Sequence, residues 1–571
     1  MRQFPPVPLI RPLSPRVARL LSTAMLIAWI VSMAALVRRD YLHASSNLAI
    51  DLARYGSAAE WRGIYYRGEK VGFTVSQTMP TSDGFDVHED ARLQMSLLGA
   101  TTAAAIRTTA HVDRAFALRG FEFSLDPGTG PVTIAGRVDG RRLHLTIGTA
   151  SGTQTETREL TDVPVLSVNL PRRLASEGLK PGMRQQWFVF DPATLRNEPV
   201  VLDVGAREIV NGYANPPVRV GRRDVLRPLG RGVPAFRVDM AYAGLRTTAW
   251  VTDTGEVVRE ESPLGLLSVR ESPETARRMA IGGRIQGDLL DAAAVVPAAT
   301  STSRKLDDPR DVRRLSLQLQ GIDLANADLQ GAGQSVAGDV LNIVDARSLE
   351  PVAADPDLAR YLEPEPLIES DDPAIVAEAR TAIAGVSGSR ARAERLTRRV
   401  NAMLDKKPTV SLPSARDVLR TKVGDCNEHT ALYVAMARAV GIPSRIAVGL
   451  VYTRGAFYYH AWPEVFVGAA SGSAASGRGR GVWLPVDPTL NQFPADATHV
   501  RLARGGLDRQ AAILPLIGRL RMTVLDVELA PTARTVLVGR QPSDAHPLAI
   551  PIPQRSTSGC CSCWTSAAFS R

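Results

Sequence analysis

The feature that most constrains this chain is a period of two that runs, with interruptions, from about residue 58 to residue 275. "EKVGFTVSQTM" sets Val71, Phe73 and Val75 against polar neighbours, the alternation of a strand with one buried face. "FEFSLD" follows the same rule. In "VTIAGRVDGRRLHLTI" two alternating runs meet at Asp139-Gly140, a pair that tolerates the positive φ of a type I′ hairpin turn. "TTAWVTDTGEVVREE" repeats the device around Gly255. The spacing predicts an antiparallel β-rich domain over residues 50–285, built as one large curved sheet.

The rest of the chain reads differently. Residues 286–305, "QGDLLDAAAVVPAATSTSRK", have a linker composition. A connecting segment, 306–352, holds a strand-like piece at "VRRLSLQLQGID". A further domain is expected over 353–505. Its first helix starts at Asp372-Pro373, an N-cap followed by proline at N1, with Ile375, Ala379, Ala382 and Ile383 on one face. A second, from about Ala391 to Leu404, carries Ala393, Leu396, Val400 and Leu404 as a stripe. Both stripes are read as core. Residues 506–545 are expected to add C-terminal strands, and 546–571 to form a disordered tail after "PLAIPIPQR". The fold class expected is α+β: an N-terminal transmembrane helix, the antiparallel β-rich domain, then an α+β catalytic domain.

The transmembrane expectation rests on Leu20 to Val37, 18 residues without a charge. At roughly 1.5 Å per residue that just spans a bilayer core of about 30 Å. Arg2, Arg11, Arg16 and Arg19 precede the run, and Arg38 and Arg39 follow it. That balance predicts residues 1–19 in the cytoplasm, a single-pass membrane span at 20–37, and the body in the periplasm or outside the cell. A cleaved signal peptide is the rival, and it exports the body equally. The formal charge of +10 is carried almost wholly by arginine, with lysine at only Lys70, Lys180, Lys305, Lys406, Lys407 and Lys422. No basic stretch is interleaved with aromatics, so nucleic acid is not expected as a partner.

In an exported body cysteines are usually paired. Cys426 has no partner before the tail cluster of Cys560, Cys561 and Cys563. It stands in "TKVGDCNEHTALYVAMARAVGIP", where Leu432, Ala435, Met436 and Ala439 recur at helical spacing and Gly441 with Pro443 ends the helix. Cys426 therefore falls in the first turn, where free N–H groups and the helix dipole favour a thiolate. A small, buried, inert cysteine fits the same residues. His429 follows one turn later, but no second ligand pair completes a metal set. Of the eight histidines, His460 lies in "AFYYHAWPEVFVG", on the strand face shared by Tyr458 and Trp462. After a Gly/Ser-rich loop, the returning "VWLPVDPT" brings Asp487, placed to orient and charge-stabilise the imidazole. His499 is read as packed, and Glu428 and Glu464 as structural or solvated.

"GDCNEHTALYVAMARAVGIPSR", "YYHAWPEVFV" and "WLPVDPT", with 34 residues from Cys426 to His460 and 27 more to Asp487, resemble the three core motifs of the transglutaminase-like superfamily. The resemblance covers roughly residues 355 to 505. It implies a papain-like catalytic domain with a Cys-His-Asp triad at Cys426, His460 and Asp487. The nearest tryptophan upstream of Cys426 is Trp250, so the oxyanion-holding tryptophan of eukaryotic crosslinking relatives has no counterpart. Hydrolysis and transglutamination both stay open. No acidic loop has calcium-ligand spacing, so no metal and no cofactor are expected.

The function expected is a membrane-anchored, extracytoplasmic cysteine acyl-transfer enzyme, an amidase, protease or transglutaminase-like crosslinker. Its substrate would be a peptide or protein of the cell envelope. The alternatives are a non-catalytic transglutaminase-like binding or scaffold protein, and a lipid- or lipoprotein-handling module led by the β domain.

Overall fold

A computed structural model describes residues 59 to 530, apart from short stretches of which the longest are 280–287, 301–305, 469–479 and 506–515. The long alternating region folds into one antiparallel sheet of fourteen strands, from Glu60–Tyr66 to Leu266–Arg270. Sequence neighbours pair throughout, as two meanders joined where Glu60–Tyr66 lies beside Leu266–Arg270. The predicted hairpin is present: Asp139 pairs with Arg142 across a turn in which Gly140 has φ of 58°. Gly255 (φ 79°) closes the second one, and a Cβ there would stand 2.6 Å from the Cα of Arg172. Only glycine lets that turn pass beneath the short helix α1 (Leu170–Ser176).

The expected α+β class does not hold for the chain as a whole, which is mostly β. The fourteen-stranded sheet accounts for much of this. In addition, the predicted connecting segment supplies Val312–Gln320, Gln334–Ala337 and Val340–Val344, which form a four-stranded sheet with Arg521–Leu529. Helices are few and short because helical spacing is confined to one stretch of sequence. No helix among the described residues is long and apolar enough to cross a membrane. The run at 20–37, the N-terminal residues 1–19 and the tail 546–571 with its three cysteines lie outside the described residues.

Three helices lie where the sequence indicated them, α2 (Pro373–Ala382), α3 (Ser389–Met403) and α5 (Cys426–Ala439), and the short α4 (Ala415–Thr421), not expected from the sequence, joins them. Asp372 caps α2, its Oδ1 accepting the N–H groups of Ala374 and Ile375. They pack on a five-stranded sheet of β1 (Val352–Ala353), β2 (Ser444–Thr453), β3 (Ala456–Gly468), β4 (Arg480–Pro485) and β5 (His499–Arg504), in the order β1-β4-β3-β2-β5. Helix α5 is apolar all round its middle, and Leu432, Tyr433, Val434, Ala435 and Met436 are fully buried. Truncating Leu432 to alanine there is worth about 2–5 kcal/mol. That rigid seating fixes the first turn of α5, which carries Cys426.

The β domain is fastened to this unit at two places. Ser151 Oγ donates to Asp417 of α4, and Ala150 N–H reaches the same carboxylate at 3.2 Å. Leu367 and Leu412 pack into a core cluster of the large sheet. The linker is more than a spacer: Val295 bridges to Phe457 on β3 by backbone hydrogen bonds of 2.8 and 2.9 Å.

Candidate active site

Cys426 is the first residue of α5, and the turn before it is built to hold it still. Asp425 is the N-cap, its Oδ1 accepting the N–H of Asn427 at 2.9 Å. Glu428 completes a capping box, its Oε2 accepting the Asp425 N–H at 2.8 Å. Thr409 donates to Glu428 Oε1 at 2.8 Å, and Ser411 donates to the same oxygen. Gly424 is obligatory here, since a Cβ would lie 2.2 Å from the Cβ of Glu428. Asp425 thus serves as a helix cap, while Glu428 is buried and fully engaged.

These neighbours reverse the electrostatic expectation for the thiol. The helix dipole favours a thiolate, but burial pushes the Cys426 thiol up, and the Asp425, Glu428 and Asp487 carboxylates push the same way. The Ala461 N–H, which hydrogen-bonds to the sulfur, is the opposing influence. Asp425 is itself pushed well above the usual carboxylate range, by burial first and by Glu428 beside it. The helix dipole, worth about 1 kcal/mol, and the Ala461 N–H oppose the rise at Cys426.

Ala461 follows His460 on β3, so the sulfur meets the backbone of the strand that carries the imidazole. His460 is buried, and its Nε2 donates to Asp487 Oδ2 at 2.8 Å. With Nε2 so engaged, Nδ1 is the ring atom free to exchange a proton with a thiol. Asp487 stands two residues beyond β4 and is fully buried. Its Oδ1 accepts the Leu490 N–H at 2.9 Å, and its backbone pairs with Gln492. Burial alone would raise this carboxyl, but His460 and His499 hold it far below the usual range.

His499 is the residue that sequence reasoning passed over. Its Nε2 lies 3.1 Å from Asp487 Oδ2, and its Nδ1 lies 3.1 Å from the Asp496 carbonyl and 3.3 Å from Asp496 Oδ1. Burial would lower its pKa, but hydrogen bonds to Asp487 and Asp496 push it up to about 10. The available signal was the pair Asp496 and His499, three residues apart at the start of a strand. Trp462 lines the group, its ring 6.1 Å from that of His460 and 5.1 Å from that of His499. Its Nε1 finds no acceptor among the described residues.

The ligand atoms of His460, Asp487 and His499 lie within 4.8 Å of one another. Both rings aim N–H groups at the same carboxylate oxygen, so no lone pair faces a common point. The trio is a hydrogen-bond chain and does not fit a metal. His429 is fully buried, with Nδ1 donating to the Asp425 carbonyl at 2.7 Å. Burial pushes the pKa of that ring down.

Farther along the sheet, Glu464 joins two arginines. Arg445 donates to its Oε2 at 2.8 Å and Arg501 to its Oε1 at 2.7 Å. Arg445 also covers the Trp483 ring at 3.7 Å. Glu464 is thus structural and buried, not solvated.

Residues 377–488 match the family described as the transglutaminase-like superfamily. No curated protein matches the sequence. Among solved structures, a candidate cysteine protease from Cytophaga hutchinsonii aligns at 16% identity and TM-score 0.26, over 38% of this chain and 90% of its own. A β-barrel-like DUF1849 protein from Brucella abortus aligns at 13% identity and TM-score 0.27, over 38% of this chain and 96% of its own. A candidate protease from Parabacteroides distasonis aligns at 10% identity and TM-score 0.17, over 68% of this chain and 65% of its own. Scores this low carry no argument about function.

Proposed function

We propose that the transglutaminase-like segment matched at residues 377–488 is a cysteine acyl-transfer enzyme acting on an amide bond of a peptide or protein. The observation that supports it is the His460 Nε2–Asp487 contact at 2.8 Å, on the strand whose Ala461 N–H meets the Cys426 sulfur. In this reading the nucleophile forms during attack. His460 Nδ1 takes the thiol proton as the sulfur adds to the carbonyl carbon. The imidazolium then gives that proton to the amine nitrogen as the C–N bond breaks, leaving a thioester. Water, or a second amine, adds to the thioester carbonyl while His460 takes its proton. Collapse expels the sulfur, which recovers a proton from the imidazolium.

A second reading has one observation in its favour. Burial and three carboxylates hold the Cys426 thiol up, as in a protein that keeps the fold and binds without chemistry. Iodoacetamide alkylation of the native full-length chain across pH separates the two. The enzyme reading expects Cys426 to react faster than an unstructured thiol at neutral pH, with His460→Ala abolishing the advantage. An ordinary or unreactive thiol, unchanged by His460→Ala, sinks it. Release of amine from a quenched-fluorescence peptide library, lost in Cys426→Ala, is the matching turnover test.

Placement outside the cytoplasm, and hence an envelope peptide as substrate, is a proposal carried by the N-terminal sequence alone. A reporter enzyme active only after export, fused behind residue 59, tests it. An inactive reporter refutes it.

A further inference from the structure

His499 belongs to no motif of the triad, yet it lies within hydrogen-bond distance of the same Asp487 oxygen as His460. Asp487 Oδ2 receives two imidazole nitrogens, His460 Nε2 at 2.8 Å and His499 Nε2 at 3.1 Å. The other His499 nitrogen faces the Asp496 backbone carbonyl at 3.1 Å, an atom that only accepts. With an ionised carboxylate on one side and a carbonyl on the other, both ring nitrogens must carry hydrogen. His499 is therefore an imidazolium enclosed between two carboxylates.

Asp496 is built to serve that ring. Its Oδ1 accepts from Thr498 N–H at 3.0 Å and Thr498 Oγ1 at 2.6 Å, and its Oδ2 accepts from Gln492 Nε2 at 2.9 Å. The loop between Asp487 and β5 is thereby closed on itself, since Gln492 also pairs with the Asp487 backbone at 2.8 and 2.9 Å.

Resting on the acyl-transfer reading above, we propose that His499 is a positioning residue of this site. It fixes the Asp487 carboxylate and neutralises part of its charge, and so sets the pH range in which His460 works as a base. The other charged or titratable groups around the pair are accounted for. From α5 come Cys426 and His429, with Asp425 and Glu428 sharing the capping box. From β3 comes Glu464, which is held by Arg445 of β2 and Arg501 of β5. His499 is thus the cation that answers Asp487 among the described residues. Removing its charge leaves Asp487 less compensated, which moves the acid limb of the Cys426 reaction to higher pH.

Two measurements on the full-length chain test this. His499→Gln keeps an N–H for Asp487 and removes the charge. The iodoacetamide rate of Cys426 should keep its plateau while the acid limb moves up by about one pH unit. His499→Leu should show the same shift with a lower plateau. An acid limb unmoved in His499→Gln overturns the proposal, since a purely structural role lowers stability without moving that limb. The second measurement needs neither a variant nor a reactive thiol. In the 15N-histidine spectrum at about pH 8, where ordinary histidines are neutral, one ring should keep both protons. Eight neutral rings at that pH would overturn the proposal even if Cys426 proved fully active. Absence of Cys426 reactivity beside one persistent imidazolium would instead refute the acyl-transfer reading alone.

Discussion

Glu428 accepts the backbone N–H of Asp425 at 2.8 Å while Asp425 caps the N–H of Asn427 at 2.9 Å, so two carboxylates lock the turn that presents Cys426. The same pair that gives the thiol its place also makes it harder to ionise. Positional order and thiol acidity are therefore opposed at this helix end.

Glu428→Gln should separate the two effects. Loss of one carboxylate near the sulfur should speed iodoacetamide alkylation of Cys426 several-fold at fixed pH. Damage to the capping box should cost about 1–2 kcal/mol in urea unfolding. A slower-reacting thiol would show that position matters more than charge.

Gly424→Ala tests the geometry without touching a charge. Its Cβ would meet the Cβ of Glu428 at 2.2 Å, both being anchored to backbone. The expected outcome is a loss of about 1–3 kcal/mol together with slowed alkylation of Cys426. Thermal unfolding and labelling rate measured on one preparation decide it.

Asp487→Asn should lower turnover on a peptide amide by roughly 10²–10⁴-fold while leaving substrate binding near that of the parent. Asp487→Asn and Asp487→Ala should both destabilise the chain by about 3–5 kcal/mol, because in each the His499 imidazolium loses a buried counter-charge. Stability equal to that of the parent would contradict this.

Glu464 predicts a pH dependence. Burial alone would raise its carboxyl, but Arg501 and Arg445 bring it down to about 2 from 4.5. A depressed folded pKa gives stability that is present above about pH 4.5 and lost as pH falls toward 2. Glu464→Gln should therefore be about 3–5 kcal/mol less stable at neutral pH, with the gap narrowing through that acid window. Urea midpoints at stepped pH provide the check, and a gap that persists at the acid end would refute it.

Much of this was legible in the residues. The alternation around Val71, Phe73 and Val75 places those residues in a strand, Glu69–Pro80, and Asp139-Gly140 turns a hairpin. Asp372-Pro373 starts a helix, and Cys426 opens another. Each of these depends on backbone preference or period over a few neighbours. The overall class was not legible, because 306–352 and 521–529 look like connecting and terminal segments until they pair with each other across more than two hundred residues. Glu464 read as solvated or structural because Arg445 reaches it from the adjacent strand and Arg501 from the strand beyond.

The sequence by itself determined the strands, the helix that begins at Cys426, and the order Cys426, His460, Asp487, since local period, capping chemistry and motif spacing are written residue by residue. Only the tertiary structure decided the electrostatics of that site. Burial and the approach of Asp425, Glu428 and Asp487 push the thiol pKa up, and His499 meets Asp487 through a folded loop. Electrostatic energy depends on distance and on the exclusion of water, and neither exists until the chain has packed.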